Sequence, residues 1–155
     1  MAHSEDPPIT RHPSSITRRP PTSEMMKNDP YTLFIAIDGD GSDPKEEASG
    51  KLFIDDEKTY DYKKGKFDHR NFVYKGGVLE NVKVSGDEDG YQCTSWIERL
   101  VFMGVSKDVV AVTLSSSEGE SRDLEFTFDK TAKLLVVKKP NLSVTEEWKV
   151  AIMNN

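Results

Sequence analysis

Two neighbouring carboxylates, Asp55 and Asp56, are the first residues whose types suggest chemistry. Two carboxylic acids that flank one glycosidic bond can cleave it, one as general acid and the other as nucleophile or base. Neighbours in a strand or turn point to different sides of the chain, however, so these two cannot easily flank one bond. Aspartate side chains also form turns by accepting hydrogen bonds from nearby backbone amides. We therefore predict a turn here, with contact to a carbohydrate or cation as the alternative, and no catalytic residue in this chain.

Aromatic side chains follow the acidic pair, at Tyr60, Tyr62, Phe67 and Tyr74. A tyrosine ring can stack on a sugar ring while its hydroxyl group makes a hydrogen bond. Aromatic side chains also pack against their neighbours within a sheet, and we predict this second use for the group. The alternative is a carbohydrate-contacting surface. Its members would be Tyr60, Tyr62, Tyr74, Asp55 and Asp56.

The sequence predicts no cofactor and no metal site. His69 has no serine, cysteine or second histidine placed to complete a catalytic triad or a metal site. Asp38 and Asp40 have the spacing of the first two ligands of an EF-hand loop, but the sixth and twelfth positions lack the required glycine and glutamate. The single cysteine, Cys93, excludes an internal disulfide and is predicted to be a small core residue.

The elements that must position these residues are strands. Residues 50–67 are predicted as a β-hairpin, with an acidic tip at 55–58 and an aromatic outgoing strand over 59–62. Leu124, Phe126 and Phe128 alternate with polar residues, as in a half-buried strand. Further strands are predicted at 31–37, 70–74, 78–84, 96–105, 109–114, 133–137 and 147–152.

Residues 96–105 form the longest apolar strand candidate. Trp96 and Phe102 fall on one face and are predicted to fill the core, together with Trp148 from the closing strand. Glu98 and Arg99 interrupt opposite faces near the start of the candidate. Such an interruption indicates a strand edge or a β-bulge.

The chain divides into two parts. Residues 1–30 carry six of the eight prolines, which prevents a regular helix or ladder. We therefore predict a disordered or extended proline-rich linker over 1–28 and one domain over 29–155. Turn signals recur about every ten residues in that domain without a helical period, which is typical of an all-β antiparallel sandwich.

Charge and hydropathy exclude several partners. The formal net charge of −6 argues against nucleic acid, because binding phosphates requires a basic surface. No apolar run approaches the ~18 residues that a membrane span needs, so no membrane partner is predicted. Residues 1–22 also lack the apolar stretch of a signal peptide, so no targeting signal is predicted in this chain.

The motif within residues 50–67 resembles one in the C-terminal β-sandwich of glycoside hydrolase family 31. That motif runs leucine, an aromatic residue, any residue, Asp-Asp-Gly, an aromatic-x-aromatic pair, glycine and an aromatic residue. The matching positions here are Leu52, Phe53, Asp55, Asp56, Tyr60, Tyr62, Gly65 and Phe67. Glu57 stands where the family usually has glycine, the residue that takes a positive φ without cost.

Other segments are similar to the branch of that family that trims glucose from N-linked glycans. They are residues 18–20, 26–33, 95–99, 101–104, 138–140 and 144–148. The resemblance spans about residues 16–153 and implies a non-catalytic C-terminal sandwich of a longer α-glucosidase of the endoplasmic reticulum lumen. The implied partners are the catalytic (β/α)8 barrel, the preceding sandwich and an accessory β subunit. The catalytic aspartates of such an enzyme would lie in its barrel.

Two further points complete these expectations. Asn141, Leu142 and Ser143 form an N-glycosylation sequon, which agrees with a luminal location. The rival hypothesis is an independent carbohydrate-binding module that uses the aromatic residues within 60–74.

Overall fold

The computed structural model describes residues 26, 28–37, 47–86, 91, 93–116 and 119–155. These residues form two sheets packed face to face, which confirms the predicted β-sandwich. The strands are β1 (Tyr31–Ala36), β2 (Glu47–Ile54), β3 (Asp68–Lys75), β4 (Val78–Ser85), β5 (Trp96–Met103), β6 (Val109–Ser116), β7 (Ser121–Asp123), β8 (Phe126–Asp129), β9 (Leu134–Ser143) and β10 (Trp148–Asn154).

One sheet has four strands in the order β1-β5-β9-β8, and the other has six in the order β2-β3-β4-β10-β6-β7. Strand β1 pairs in parallel with β5. The other pairs are antiparallel, as predicted. Strand β10 lies between β4 and β6, so the last strand in sequence is central in its sheet.

The core lies between the sheets and is formed by alternating residues of facing strands. Phe102 and Leu100 of β5 are fully buried, and Val150 of β10 is fully buried opposite them. Trp148 is 4% exposed, and its indole nitrogen donates a hydrogen bond to the carbonyl oxygen of Ser143 at 2.9 Å. Phe102 and Trp148 are therefore core residues, as predicted.

The prediction that Trp96 fills the core is wrong, since its side chain is 39% exposed. The register between β5 and β9 shifts between Ile97 and Arg99, which is the bulge that the sequence indicated. The extra residue reverses the alternation, so that Ile97 faces inward with Leu100 while Trp96 faces outward.

Several predictions fall outside the described residues. They concern the linker over 1–28, of which the structure describes only positions 26 and 28, and the loop with Asp38 and Asp40. Within the part of the chain that the structure describes, no helix is both long and apolar enough to cross a membrane.

Candidate functional site

The acidic turn after β2 forms its own hydrogen-bond network. Asp55 Oδ1 accepts a hydrogen bond from the backbone amide of Glu57 at 2.8 Å. Asp56 Oδ1 accepts from the amides of Lys58 and Thr59, at 3.2 and 3.0 Å, and Asp56 Oδ2 accepts from the Thr59 hydroxyl group at 2.8 Å. The two carboxylates therefore hold the turn in the way that the sequence predicted.

Glu57, at the glycine position of the family motif, has a φ of 57°. It therefore lies in the left-handed region, which glycine takes without cost. A non-glycine residue reaches this region at some cost, and the hydrogen bond from its amide to Asp55 favours it here. The turn thus reaches a positive φ without the motif's glycine.

The predicted outgoing strand at 59–62 is wrong, because a 3₁₀ helix runs over Asp61–Lys64. The Thr59 hydroxyl group accepts from the Asp61 amide at 3.2 Å, and the Lys63 amide donates to the Tyr60 carbonyl at 3.0 Å. Local bonds of this kind compete with strand pairing, and they prevail over the alternating pattern of the two tyrosines. The chain re-enters the sheet only at Asp68, the start of β3.

Tyr60 directly precedes the helix and is 73% exposed, and Tyr62 within the helix is partly exposed. Their ring centroids lie 6.2 Å apart with an interplanar angle of 53°. The ammonium group of Lys63 lies 4.8 Å from the centroid of the Tyr60 ring, within the range of a cation–π contact. The prediction that these tyrosines pack within a sheet is therefore wrong for Tyr60, and the pair is a small aromatic surface on a loop held by its own hydrogen bonds.

Tyr74, which was also predicted to contact a carbohydrate, does not lie with this pair. Tyr74 is 5% exposed, and its ring lies 5.7 Å from that of Phe102 in the core, so it is not available to a sugar. Phe67 stacks on Phe53 with centroids 5.0 Å apart. Phe53, 52% exposed, was not expected to be a surface aromatic residue. Its alternation with Leu52 and Ile54, which pack against the core, places it on the outer face.

A buried polar cluster was not predicted. Arg70 donates to both carboxylate oxygens of Asp68, from Nε at 2.5 Å and from Nη2 at 2.9 Å, and also to the Thr145 carbonyl oxygen. Asn81 Nδ2 donates to the carbonyl oxygens of Val144 and Glu146, each at 2.9 Å. Asp68, Arg70 and Asn81 are 4%, 3% and 1% exposed. The cluster fixes the segment between β9 and β10 onto β3 and β4.

A sequence signal for this cluster existed. Asp68, Arg70, Phe72 and Tyr74 alternate along β3, and the two aromatic members are buried. The period of a strand therefore places Asp68 and Arg70 on the buried face as well. A buried aspartate and arginine require each other, since a buried charge is tolerated only when it is paired.

Tyr31, at the start of β1, has a raised pKa. Burial raises the pKa of its hydroxyl group, and the nearby Cys93, Glu57 and Tyr91 raise it further. Cys93 itself is partly exposed, so it is not the core residue that was predicted. The acidic turn therefore lies near the beginning of β1.

The sequon asparagine, Asn141, is exposed and has a φ of 49°. It follows Lys139, which also has a φ of 49°, and the buried Pro140. His69 is partly buried in β3, with its Nδ1 3.2 Å from the Ser85 hydroxyl oxygen. Among the residues with described positions, no group of three or more His, Cys, Asp or Glu residues could hold a metal ion.

The chain is similar in sequence to known proteins. Neutral alpha-glucosidase AB of Homo sapiens is 37% identical over 131 residues, which cover 83% of this chain and 13% of that protein. The Dictyostelium discoideum protein of the same name is 38% identical over 125 residues, covering 80% of this chain and 12% of that protein. No family model matches the chain.

A solved structure agrees with these relatives. It is the endoplasmic reticulum glucosidase II heterodimeric complex of a catalytic subunit and the binding domain of a regulatory subunit. The match has a TM-score of 0.69 and 28% identity, and it covers 90% of this chain and 16% of the solved chain.

The chain therefore belongs to glycoside hydrolase family 31, as the motif in residues 50–67 indicated. Within that family its relatives are neutral alpha-glucosidase AB and the glucosidase II alpha subunit. It spans 13% of the length of the human relative.

Proposed function

We propose that this chain is the non-catalytic C-terminal β-sandwich of an α-glucosidase of the glucosidase II type, and that it supports the catalytic barrel of that enzyme. The observation that carries the proposal is the similarity over 83% of this chain to only 13% of a neutral alpha-glucosidase. The matched 131 residues are far fewer than the roughly 250 that a (β/α)8 barrel needs.

The placement of the acids supports the same proposal. Asp55 and Asp56 accept hydrogen bonds within their own turn, and Asp68 is buried against Arg70. A retaining glycosidase needs two carboxyl groups about 5–5.5 Å apart on opposite sides of one open site. Neither the turn nor the buried pair offers a sugar such a site.

The parent enzyme, in this proposal, removes glucose from N-linked glycans in the lumen of the endoplasmic reticulum. The sandwich comprises residues 29–155, and residues 1–28 link it to the preceding sandwich. Its partners are that sandwich, the (β/α)8 barrel and the glucosidase II β subunit. The solved complex of a catalytic subunit with the binding domain of a regulatory subunit motivates the last partner.

The test is an assay of the purified chain beside the human relative. The substrates are p-nitrophenyl α-glucoside and a glucosylated high-mannose glycan. We expect turnover by the relative and none by the chain. Turnover that persists through purification and disappears in Asp55→Ala or Asp56→Ala would overturn the proposal.

A second candidate function, an independent carbohydrate-binding module, is favoured by one observation. Tyr60 is 73% exposed on a loop whose backbone is held by Asp56 and Thr59. An ordered, exposed aromatic ring is the feature with which a protein stacks on a sugar. The contact between Lys63 and the same ring argues for a purely local role, because the ammonium group would have to leave before a sugar could bind.

Tyr60→Ala separates the two candidates. In the supporting-domain proposal, glycan titrations of the wild type show no saturation, and the variant changes only the local loop. In the binding-module alternative, the wild type binds a glucosylated oligosaccharide at micromolar concentration, and the variant loses that binding without a change in melting temperature. Phe53→Ala, at another exposed aromatic residue, is the matched control.

A further inference from the structure

The outer face of the four-stranded sheet has an apolar centre. Phe34 of β1 pairs in register with Val101 of β5, and Val101 pairs with Val136 of β9. Their chain neighbours Ile35, Phe102 and Leu135 point into the core, so these three point outward. The next row is Ala36, Met103 and Leu134. We call these six residues the Phe34 face.

The outer faces of the two sheets differ in charge, although the six-stranded sheet also exposes apolar side chains such as Phe53, Val84 and Met153. That sheet carries charge pairs across neighbouring strands, such as Lys149 with Glu80 at 2.7 Å and Lys75 with Glu47 at 3.5 Å. On the Phe34 face, Phe34 is 68% exposed and Met103 is 38% exposed. Val101 between them is only 8% exposed, and Leu134 and Val136 are partly buried, so the exposed part consists mainly of Phe34, Ala36 and Met103. Neighbouring exposed apolar side chains of this kind mark an interaction site.

Strand β1 also presents an edge. It is paired on one side only and contains neither a charged residue nor a proline over Tyr31–Ala36. The other three edge strands are protected in the usual ways. Strand β2 carries Glu47 and Lys51, and β7 and β8 have only three and four residues. An unprotected apolar edge is expected where another part of a protein covers it.

A cleft on the other side of β1 extends this apolar surface. It lies between the edges of β1 and β2, with a volume of about 490 Å³. Its walls include Tyr31 and Leu33 of β1 and Ala48 and Leu52 of β2, and Phe72 lies at its base. Apart from Thr32, the outward face of β1 is apolar, and its cleft side carries Tyr31 and Leu33.

The charge beside the Phe34 face indicates what covers it. Arg99 of β5 and Lys138 of β9 are partners in the ladder, and both are exposed. Like charges directly opposite each other in a sheet are unfavourable. Neither makes an ion pair with another described residue. A covering surface with a carboxylate at this position would relieve the repulsion.

We propose that the Phe34 face is where this sandwich docks against the rest of the α-glucosidase polypeptide, on an apolar surface with a carboxylate opposite Arg99 and Lys138. The inference rests on the proposed function. In the solved glucosidase II complex, the matched region is 16% of its chain, so the sandwich there is covalently joined to a much larger partner. Covalent connection supplies a high effective concentration, so a modest apolar face is sufficient for docking.

The test substitutes Phe34 in two settings. In the isolated chain, Phe34→Glu should leave the melting temperature within about 2–4 °C of the wild type, because the side chain is exposed. The second setting is the human relative, carrying this chain in place of its matched 131-residue segment. There Phe34→Glu should lower soluble α-glucosidase activity at least about tenfold, since a large central side chain is lost from the interface. Phe53→Glu, at a comparably exposed phenylalanine on the other sheet, should leave it unchanged.

The outcomes are distinguishable. An inactive chimera with the wild-type segment overturns the proposed function. An active chimera in which Phe34→Glu and Phe53→Glu behave alike overturns the docking inference and leaves the proposed function in place. If light scattering shows a dimer of the isolated chain that Phe34→Glu dissociates, and the chimera is insensitive to that change, the face binds a second copy and the inference is wrong.

Discussion

Asp68→Ala tests the buried pair at the start of β3. Asp68 and Arg70 have side-chain exposures of 5% and 4%, and Arg70 Nη1 has no hydrogen-bond partner among the described residues. Removing the carboxylate leaves a guanidinium group buried without its counter-charge, which costs about 3–5 kcal/mol. That is a large part of the ~5–15 kcal/mol that stabilises a domain. For a domain of this size, the melting temperature should fall by roughly 10–15 °C.

Thermal unfolding followed by circular dichroism measures the effect. Glu80→Ala is the matched control, because it breaks the exposed pair with Lys149, which is worth at most about 1 kcal/mol. The double variant Asp68→Leu/Arg70→Met should recover most of the loss, since apolar residues of similar volume replace a buried ion pair at little cost. If Asp68→Ala and Glu80→Ala melt at the same temperature, or if the double variant melts no higher than Asp68→Ala, the reasoning about the buried charge fails.

Three further predictions concern the core, the start of β1 and the sequon. Phe102→Ala should destabilise by about 3–5 kcal/mol in urea unfolding, while Trp96→Ala, at a 39% exposed side chain, should cost about 1 kcal/mol; equal costs would contradict the bulge. Because the pKa of Tyr31 is raised in the folded state, its stabilising effect is complete below the unfolded value of about 10 and is lost as the pH rises through the folded value. Above pH ~10, the free energy of unfolding of Tyr31→Phe should therefore fall less steeply with pH than that of the wild type. Equal slopes for the two proteins would refute this. When the chain is directed into the endoplasmic reticulum, the exposed Asn141 should carry a glycan that PNGase F removes and that Asn141→Gln lacks. If PNGase F does not change the gel migration of the wild type, the sequon is unused.

The alternating strands were predictable because the pattern of residues within each strand is sufficient to identify it. Phe126 and Phe128 alternate with the polar residues Thr127 and Asp129, and the buried Trp148, Val150 and Ile152 of β10 alternate with Lys149 and the small Ala151. Burial of one face is enough to produce such a pattern, and no distant partner has to be known.

Strand β4 shows where this evidence misleads. A count of apolar residues favours the face with Val82 and Val84, yet these are 39% and 51% exposed, while Leu79 and Asn81 are buried. Asn81 can be buried because the backbone carbonyl groups of Val144 and Glu146 accept its hydrogen bonds. Those acceptors lie more than 60 residues away in sequence, and a local pattern contains no information about them.

The prediction of the carbohydrate-contacting surface was partly wrong for a related reason. The turn at Asp55 and Asp56 was predictable, because its hydrogen bonds join residues two or three positions apart. Whether a tyrosine faces solvent or the core depends on the tertiary structure. Tyr60 and Tyr74 both lie in segments that the sequence predicted as strands, but they are 73% and 5% exposed.

The position of β10 has a consequence for biosynthesis. Strand β10 separates β4 from β6 in the six-stranded sheet, and it is the last strand to be made. Until residues 148–154 have left the ribosome, β2-β3-β4 and β6-β7 remain two fragments with unpaired inner edges. Non-local pairing of this kind folds slowly and exposes strand edges to aggregation in the interval. The nascent chain should therefore need protection by chaperones until translation of the sandwich is complete.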